Sequence, residues 1–131
     1  MSEMNDLKNT GLIDMDSVLE RIGGDESFFL ELLDIYIEDF LEKYIHLEKA
    51  IAQYDFNNIK EIGHSLKGSS GNLSLTRLHE TAYSIELSGR ENDIERAKLM
   101  FNRLQEEFKK LKNFLSHDQK QSIEQKLPGM K

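Results

Sequence analysis

The sequence contains no cysteine. That excludes a disulfide framework and a thiolate metal site. It has one proline, and few clusters of turn-forming residues interrupt it, which favours helix over sheet. No apolar run approaches the roughly 20 residues that a membrane span requires. The opening Met1-Ser2-Glu3-Met4-Asn5-Asp6 lacks the basic region followed by an apolar one that marks a secretory signal. Basic charge is in short supply: 17 Lys and Arg against 24 Asp and Glu give a net charge of −7. No local run of Lys and Arg reverses this balance, so a surface for nucleic acid or anionic lipid is not expected. Together these absences lead to the expectation of a cytoplasmic protein with no nucleic-acid or membrane partner.

What remains suits one domain. The chain has 131 residues, 38% hydrophobic and 31% charged, enough for one core under a well-charged surface. Residues 1–13 are polar and are expected to be flexible. Ser17-Val18-Leu19-Glu20 has the form of a capping box, so a short helix is expected to run to about Ile22, where Gly23-Gly24 stops it. Asp25 can cap a long helix over about 25–53, whose inward stripe is Phe29, Leu33, Tyr36, Phe40, Tyr44, Leu47, Ile51 and Tyr54. Its acidic positions Glu31, Asp34, Glu38 and Glu42 read as a solvated face.

Asp55 is placed to cap a third helix over about 55–71. Ser74 or Thr76 begins a fourth, with Leu75, Leu78, Ala82 and Ile85 inward and a break expected at Ser88-Gly89-Arg90. Asn92 with Glu95 resembles a helix start. The fifth helix carries Ile94, Ala97, Phe101, Leu104, Phe108, Leu111 and Leu115 in 3-4 alternation, the seam of a bundle helix. Residues 116–131 form a polar tail that either extends the last helix or stays disordered. The expected fold is all-α: an antiparallel up-and-down four-helix bundle over 14–115, with a short extra N-terminal helix.

The third helix is unusual in its glycines: Gly63, Gly68 and Gly71. Each glycine inside a helix costs about 0.5–1 kcal/mol relative to alanine, so folding alone does not favour them. Phe56, Ile59, Gly63, Leu66, Ser70 and Leu73 share the inward stripe. His64 points roughly 130° from the middle of that stripe, at about 100° per residue. Lys67 lies one turn on. Gly68 lies nearly opposite the core, and Gly71 and Lys67 flank it. This is an exposed imidazole with a nearby ammonium and bare backbone where a partner could approach. Gly63, on the stripe itself, reads instead as close approach of a neighbouring helix.

The run His64-Ser65-Leu66-Lys67-Gly68-Ser69-Ser70-Gly71-Asn72-Leu73 closely resembles the signature of histidine-containing phosphotransfer (HPt) domains. The resemblance extends over roughly residues 14–115 as a matching helix layout. It implies that His64 is a phosphoacceptor and that Lys67 offsets phosphate charge. It also implies transfer between a receiver domain of a hybrid sensor histidine kinase and the receiver of a response regulator, with magnesium on the receiver and no cofactor on this chain. Lys60, Gly68, Ser69 and Gly71 are then the expected docking positions, and Ser69 is also a candidate for holding the histidine. Ser69 and Ser70 read as small packing residues whose hydroxyls bond to backbone. After Leu73 the family commonly has glycine where this chain has Ser74. A positive φ there would cost serine about 1 kcal/mol.

Other chemistry has little support. His46, His79 and His117 lack ligands converging from a second helix, so no metal site is expected. No Walker loop, kinase motif set or Ser-His-Asp elbow is present, so the chain is expected to be a carrier, not an enzyme with its own ATP site. Two alternatives stay open at this point. One is a helical adaptor or inhibitor that binds a receiver or kinase without carrying phosphate. The other is a detached phosphoacceptor domain served directly by a kinase. A buried seam already used within the bundle favours a monomer.

Overall fold

The computed structural model describes residues 7–128, and among them there are helices and no strands. The elements are α1 (Met15–Arg21), α2 (Glu26–Ala52), α3 (Phe56–Asn72), α4 (Thr76–Arg90), α5 (Ile94–Lys112) and α6 (His117–Lys126). Helices α2 to α5 are joined by connections of three residues each, 53–55, 73–75 and 91–93. Connections that short turn the chain straight back, so sequence neighbours pack antiparallel. Helix α2 packs on α3, α3 on α4 and α4 on α5, and α5 returns to α2. The Phe40 and Phe108 rings stack at 4.0 Å across that last contact.

The three connections share one construction. Tyr54, Ser74 and Asn92 have φ of 54°, 54° and 55°. In each turn the following amide reaches back to a carbonyl five residues earlier: Asp55 to Ala50, Leu75 to Ser70, Asp93 to Ser88. This is the Schellman closure, usually built on glycine. The positive φ considered for Ser74 is therefore present. Its hydroxyl is used: Arg21 of α1 donates to Ser74 Oγ at 2.7 Å, to the Asn72 carbonyl at 2.7 Å and to the Gly71 carbonyl at 3.3 Å. Helix α3 has no basic residue in its last turn, and Arg21 supplies the missing charge at that end.

Several sequence expectations are corrected. Asp14, not Ser17, caps α1, accepting from the Ser17 amide at 3.1 Å. A capping aspartate one turn earlier leaves Ser17 inside the helix. Tyr54 leaves the α2 stripe and is exposed, because it is the positive-φ residue of the turn. Asp93 replaces Asn92 as the α5 cap for the same reason. Ser88-Gly89 does not break α4: both residues are buried inside it, and Glu91 is the first residue beyond. A Cβ on Gly89 would stand 2.8 Å from the Lys60 Cα, so this glycine serves helix contact.

The ends also differ from expectation. Leu7, Leu12 and Ile13 are buried in the core, so the segment expected to be loose is packed from residue 7 onward; residues 1–6 lie outside the described residues. The described part of the tail forms α6, capped by Ser116 and Gln119 and anchored by fully buried Ile123; residues 129–131 lie outside the described residues. It lies on α2, where Gln119 meets Asp34 and both Ser122 and Lys126 meet Glu38. Part of the acidic face expected to be solvated is thus covered. No described helix is long and apolar enough to cross a membrane.

Candidate functional site

The site begins with the contact between α3 and α4. Gly63 and Gly89 both sit where a side chain would strike the opposite backbone. A Cβ on Gly63 would lie 2.5 Å from the Glu86 nitrogen and 2.8 Å from its Cα. The two helices can approach this closely only with glycine at these positions. The approach brings Glu86, on the inward side of α4, beside the outward side of α3.

There Glu86 joins three groups. Its Oε2 lies 3.1 Å from His64 Nδ1 and 2.8 Å from an Arg90 guanidinium nitrogen, and its Oε1 lies 2.9 Å from Lys67 Nζ. The Glu86 side chain is 3% exposed and that of His64 is 67% exposed. Burial pushes the Glu86 carboxyl up, but hydrogen bonds from Lys67 and His64, with their charges, outweigh it and hold it below the ordinary value. A carboxylate only accepts, so the proton between it and His64 belongs to Nδ1. Whenever the ring carries a single proton, its lone pair is therefore on Nε2. One carboxylate and two cations put a net charge of about +1 beside the ring.

The expected residues fall into two groups. His64 and Lys67 come together, as the one-turn spacing required. Lys67 is more constrained than a solvated lysine: its side chain is 26% exposed, and its ammonium stands 5.1 Å from the centre of the Tyr83 ring. Gly68 is exposed, with nothing within 4 Å of its Cβ position. The others turn elsewhere. Lys60 Nζ lies 3.7 Å from Glu61 on its own helix. Ser69 Oγ donates to the Leu66 carbonyl at 3.3 Å rather than to the histidine. Gly71 is explained by packing: a Cβ there would stand 3.0 Å from Nδ1 of His79, which donates to the Lys67 carbonyl at 2.9 Å. Ser70 bonds not to backbone but to the Tyr36 hydroxyl, at 2.8 Å in the core.

Sequence reasoning missed Glu86, Arg90 and Tyr83. The signal was a glutamate adjoining the stripe Leu78, Ala82 and Ile85. Taking Ser88-Gly89-Arg90 as a break hid the turn that carries Arg90. Among the described residues no group of three or more His, Cys, Asp or Glu is placed to hold a metal ion. A cleft of about 640 Å³ between α4 and α5, lined by Arg77, Thr81, Arg103 and Glu107 among others, does not include His64.

A helical bundle that presents one histidine, braced by a buried carboxylate and flanked by cations, has the form of a phosphocarrier module. The family model for the Hpt domain matches residues 31–114. The chain belongs to the Hpt domain family, whose members are phosphotransfer modules of two-component signalling. The match takes in α3, α4 and α5 and all but the first residues of α2, leaving α1 and α6 outside. No curated protein and no solved structure gives a significant match.

Proposed function

We propose that His64 is the phosphoacceptor. In this reading the chain takes a phosphoryl group from the phospho-aspartate of a hybrid sensor kinase receiver and passes it to the receiver of a response regulator. The observation that carries this reading is the pairing of an exposed imidazole with a buried carboxylate at Nδ1. Nε2 attacks phosphorus in line with the departing aspartate carboxylate. The N–P bond forms as the P–O bond of the acyl phosphate breaks, and the electron pair leaves with the carboxylate. The Nδ1 proton stays in place. The ring therefore gains positive charge as Nε2 is phosphorylated, and Glu86 stabilises that charge. Lys67 and Arg90 face the phosphoryl dianion.

The remaining charge of the transition state falls to the partner, whose receiver would bring magnesium, so this chain needs no cofactor of its own. The absence of a kinase motif set fits a carrier without an ATP site. Exposed Gly68 leaves room beside His64 for the receiver. The chain acts as a monomer in the cytoplasm in this reading.

A donor panel tests it. The purified chain is offered phosphorylated receivers on one side, and histidine-kinase domains with ATP on the other. The expected result is label from receivers that is lost in acid, kept in base, and absent from His64→Gln. Acid-stable label, or label on the variant, would overturn the assignment of His64. Label from kinase domains alone would point to a directly served phosphoacceptor, and binding without label to an adaptor.

A further inference from the structure

Tyr83, Glu86 and Arg90 lie at i, i+3 and i+7 on one face of α4, so all three line the side turned toward His64. Tyr83 is 47% exposed, while Ala82 and Ile85 beside it are fully buried. Burial in the bundle therefore does not account for its ring. The contact the ring does make is with Lys67, whose ammonium stands 5.1 Å from the ring centre. That is inside the roughly 6 Å over which a cation is drawn to an aromatic face.

The geometry points to Tyr83 as a positioning residue for phosphoryl transfer: its ring holds the Lys67 ammonium against Glu86, beside the imidazole. The inference rests on His64 being the phosphoacceptor. Lysine has a flexible four-carbon stem and a strongly hydrated head. Glu86 holds it by one oxygen, Oε1, while the other oxygen serves Arg90 and His64. The ring adds a second wall. Between ring and carboxylate the ammonium is fixed before the phosphoryl group arrives, and a cation already in place need not reorganise during the reaction. Tyr83 touches neither His64 nor the incoming group in this account; it acts through Lys67. The face of the ring is what matters, so the phenol hydroxyl is dispensable.

The test uses the full chain and phosphoramidate, a small donor that needs no docking surface. Nε2 gains the phosphoryl group, the donor's P–N bond breaks, and its nitrogen leaves as ammonia. Tyr83→Leu is expected to slow phosphohistidine formation about two- to fivefold, and Tyr83→Phe to restore it. Lys67→Ala is expected to slow it at least as much, and adding Tyr83→Leu to Lys67→Ala should change nothing further. A purely structural role for Tyr83 would not vanish in the Lys67→Ala background. The inference is overturned by a wild-type rate in Tyr83→Leu, by an equal slowing with and without Lys67, or by Tyr83→Phe as slow as Tyr83→Leu. Labelled wild type with any of these results overturns the role of Tyr83 alone. Wild type that takes no label on His64 overturns the phosphoacceptor reading, and the role of Tyr83 falls with it.

Discussion

A Cβ on Gly63 would stand 2.5 Å from the backbone nitrogen of Glu86. Gly63 precedes His64 in α3, and Glu86 is the residue that holds the histidine from α4. The closeness of two helix backbones and the position of the site carboxylate are thus one fact. Glycine is needed here for approach, whereas at Gly68 the same residue type meets open space.

The two glycines should respond oppositely to alanine. Gly63→Ala forces backbone apart and is expected to destabilise the fold by about 1–3 kcal/mol, the usual range for overpacking. Gly68→Ala improves helix propensity and reduces unfolded-chain entropy, so stability should rise by about 0.4–1 kcal/mol. Urea denaturation of both variants checks this. A neutral Gly63→Ala would mean that α3 and α4 can part at no cost.

Glu86 should leave a mark on the acid limb of stability. Its carboxyl is held below the ordinary value of 4.5, because the contacts with Lys67 and His64 outweigh burial. A depressed folded-state value means that the unfolded chain binds the proton more readily. The contribution of Glu86 is therefore complete above about pH 4.5 and fades as pH falls through the lower folded value. Glu86→Gln should remove that share of the slope between neutral and acid pH, measured by urea midpoints across the range. An unchanged acid slope would deny the ion pairs their part in stability.

The Tyr36–Ser70 hydroxyl pair is the third case. Both groups are buried, at 2.8 Å from each other. Burial pushes the Tyr36 phenol well above its usual value, so it stays neutral and able to hydrogen-bond. Tyr36→Phe strands the serine hydroxyl and should cost about 1–3 kcal/mol. Ser70→Ala in addition removes the stranded group, and the double variant should cost less than the two single losses added together. Additive losses in equilibrium unfolding would mean that the pair is not coupled.

The helices, the inward stripes and the position of His64 were legible because they depend on local period and on caps such as Asp25 and Asp55. The braced site was not. Glu86 lies 22 residues from His64 and meets it only because Gly63 and Gly89 bring two backbones together. No local pattern encodes that approach. The same holds for Arg21, which caps α3 from about 50 positions away. The glycine meanings were ambiguous in sequence for a physical reason. A missing side chain can admit a neighbouring helix, as at Gly89, a histidine ring, as at Gly71, or nothing, as at Gly68. The last turn hid its own cap, Asp93, since Asn92 takes the positive φ usually left to glycine, and Tyr54 left the α2 stripe for the same reason.

Gly68 separates access from folding once more, now toward a partner. It is exposed and unobstructed, about one turn beyond His64. Gly68→Gln should therefore fold normally, with a thermal midpoint close to wild type. With His64 as the proposed phosphoacceptor, its side chain would nevertheless project where a receiver would have to come close enough to bring phosphorus within about 3–3.5 Å of Nε2. Transfer from a phosphorylated receiver should fall sharply. Phosphoramidate needs no docking surface and should label His64 in the variant at near the wild-type rate. Loss with both donors would place Gly68 in the chemistry of the site, and loss with neither would remove it from the docking surface. The expected split, receiver lost and small donor kept, follows from an open position on an exposed helix face beside a histidine that is already braced from behind.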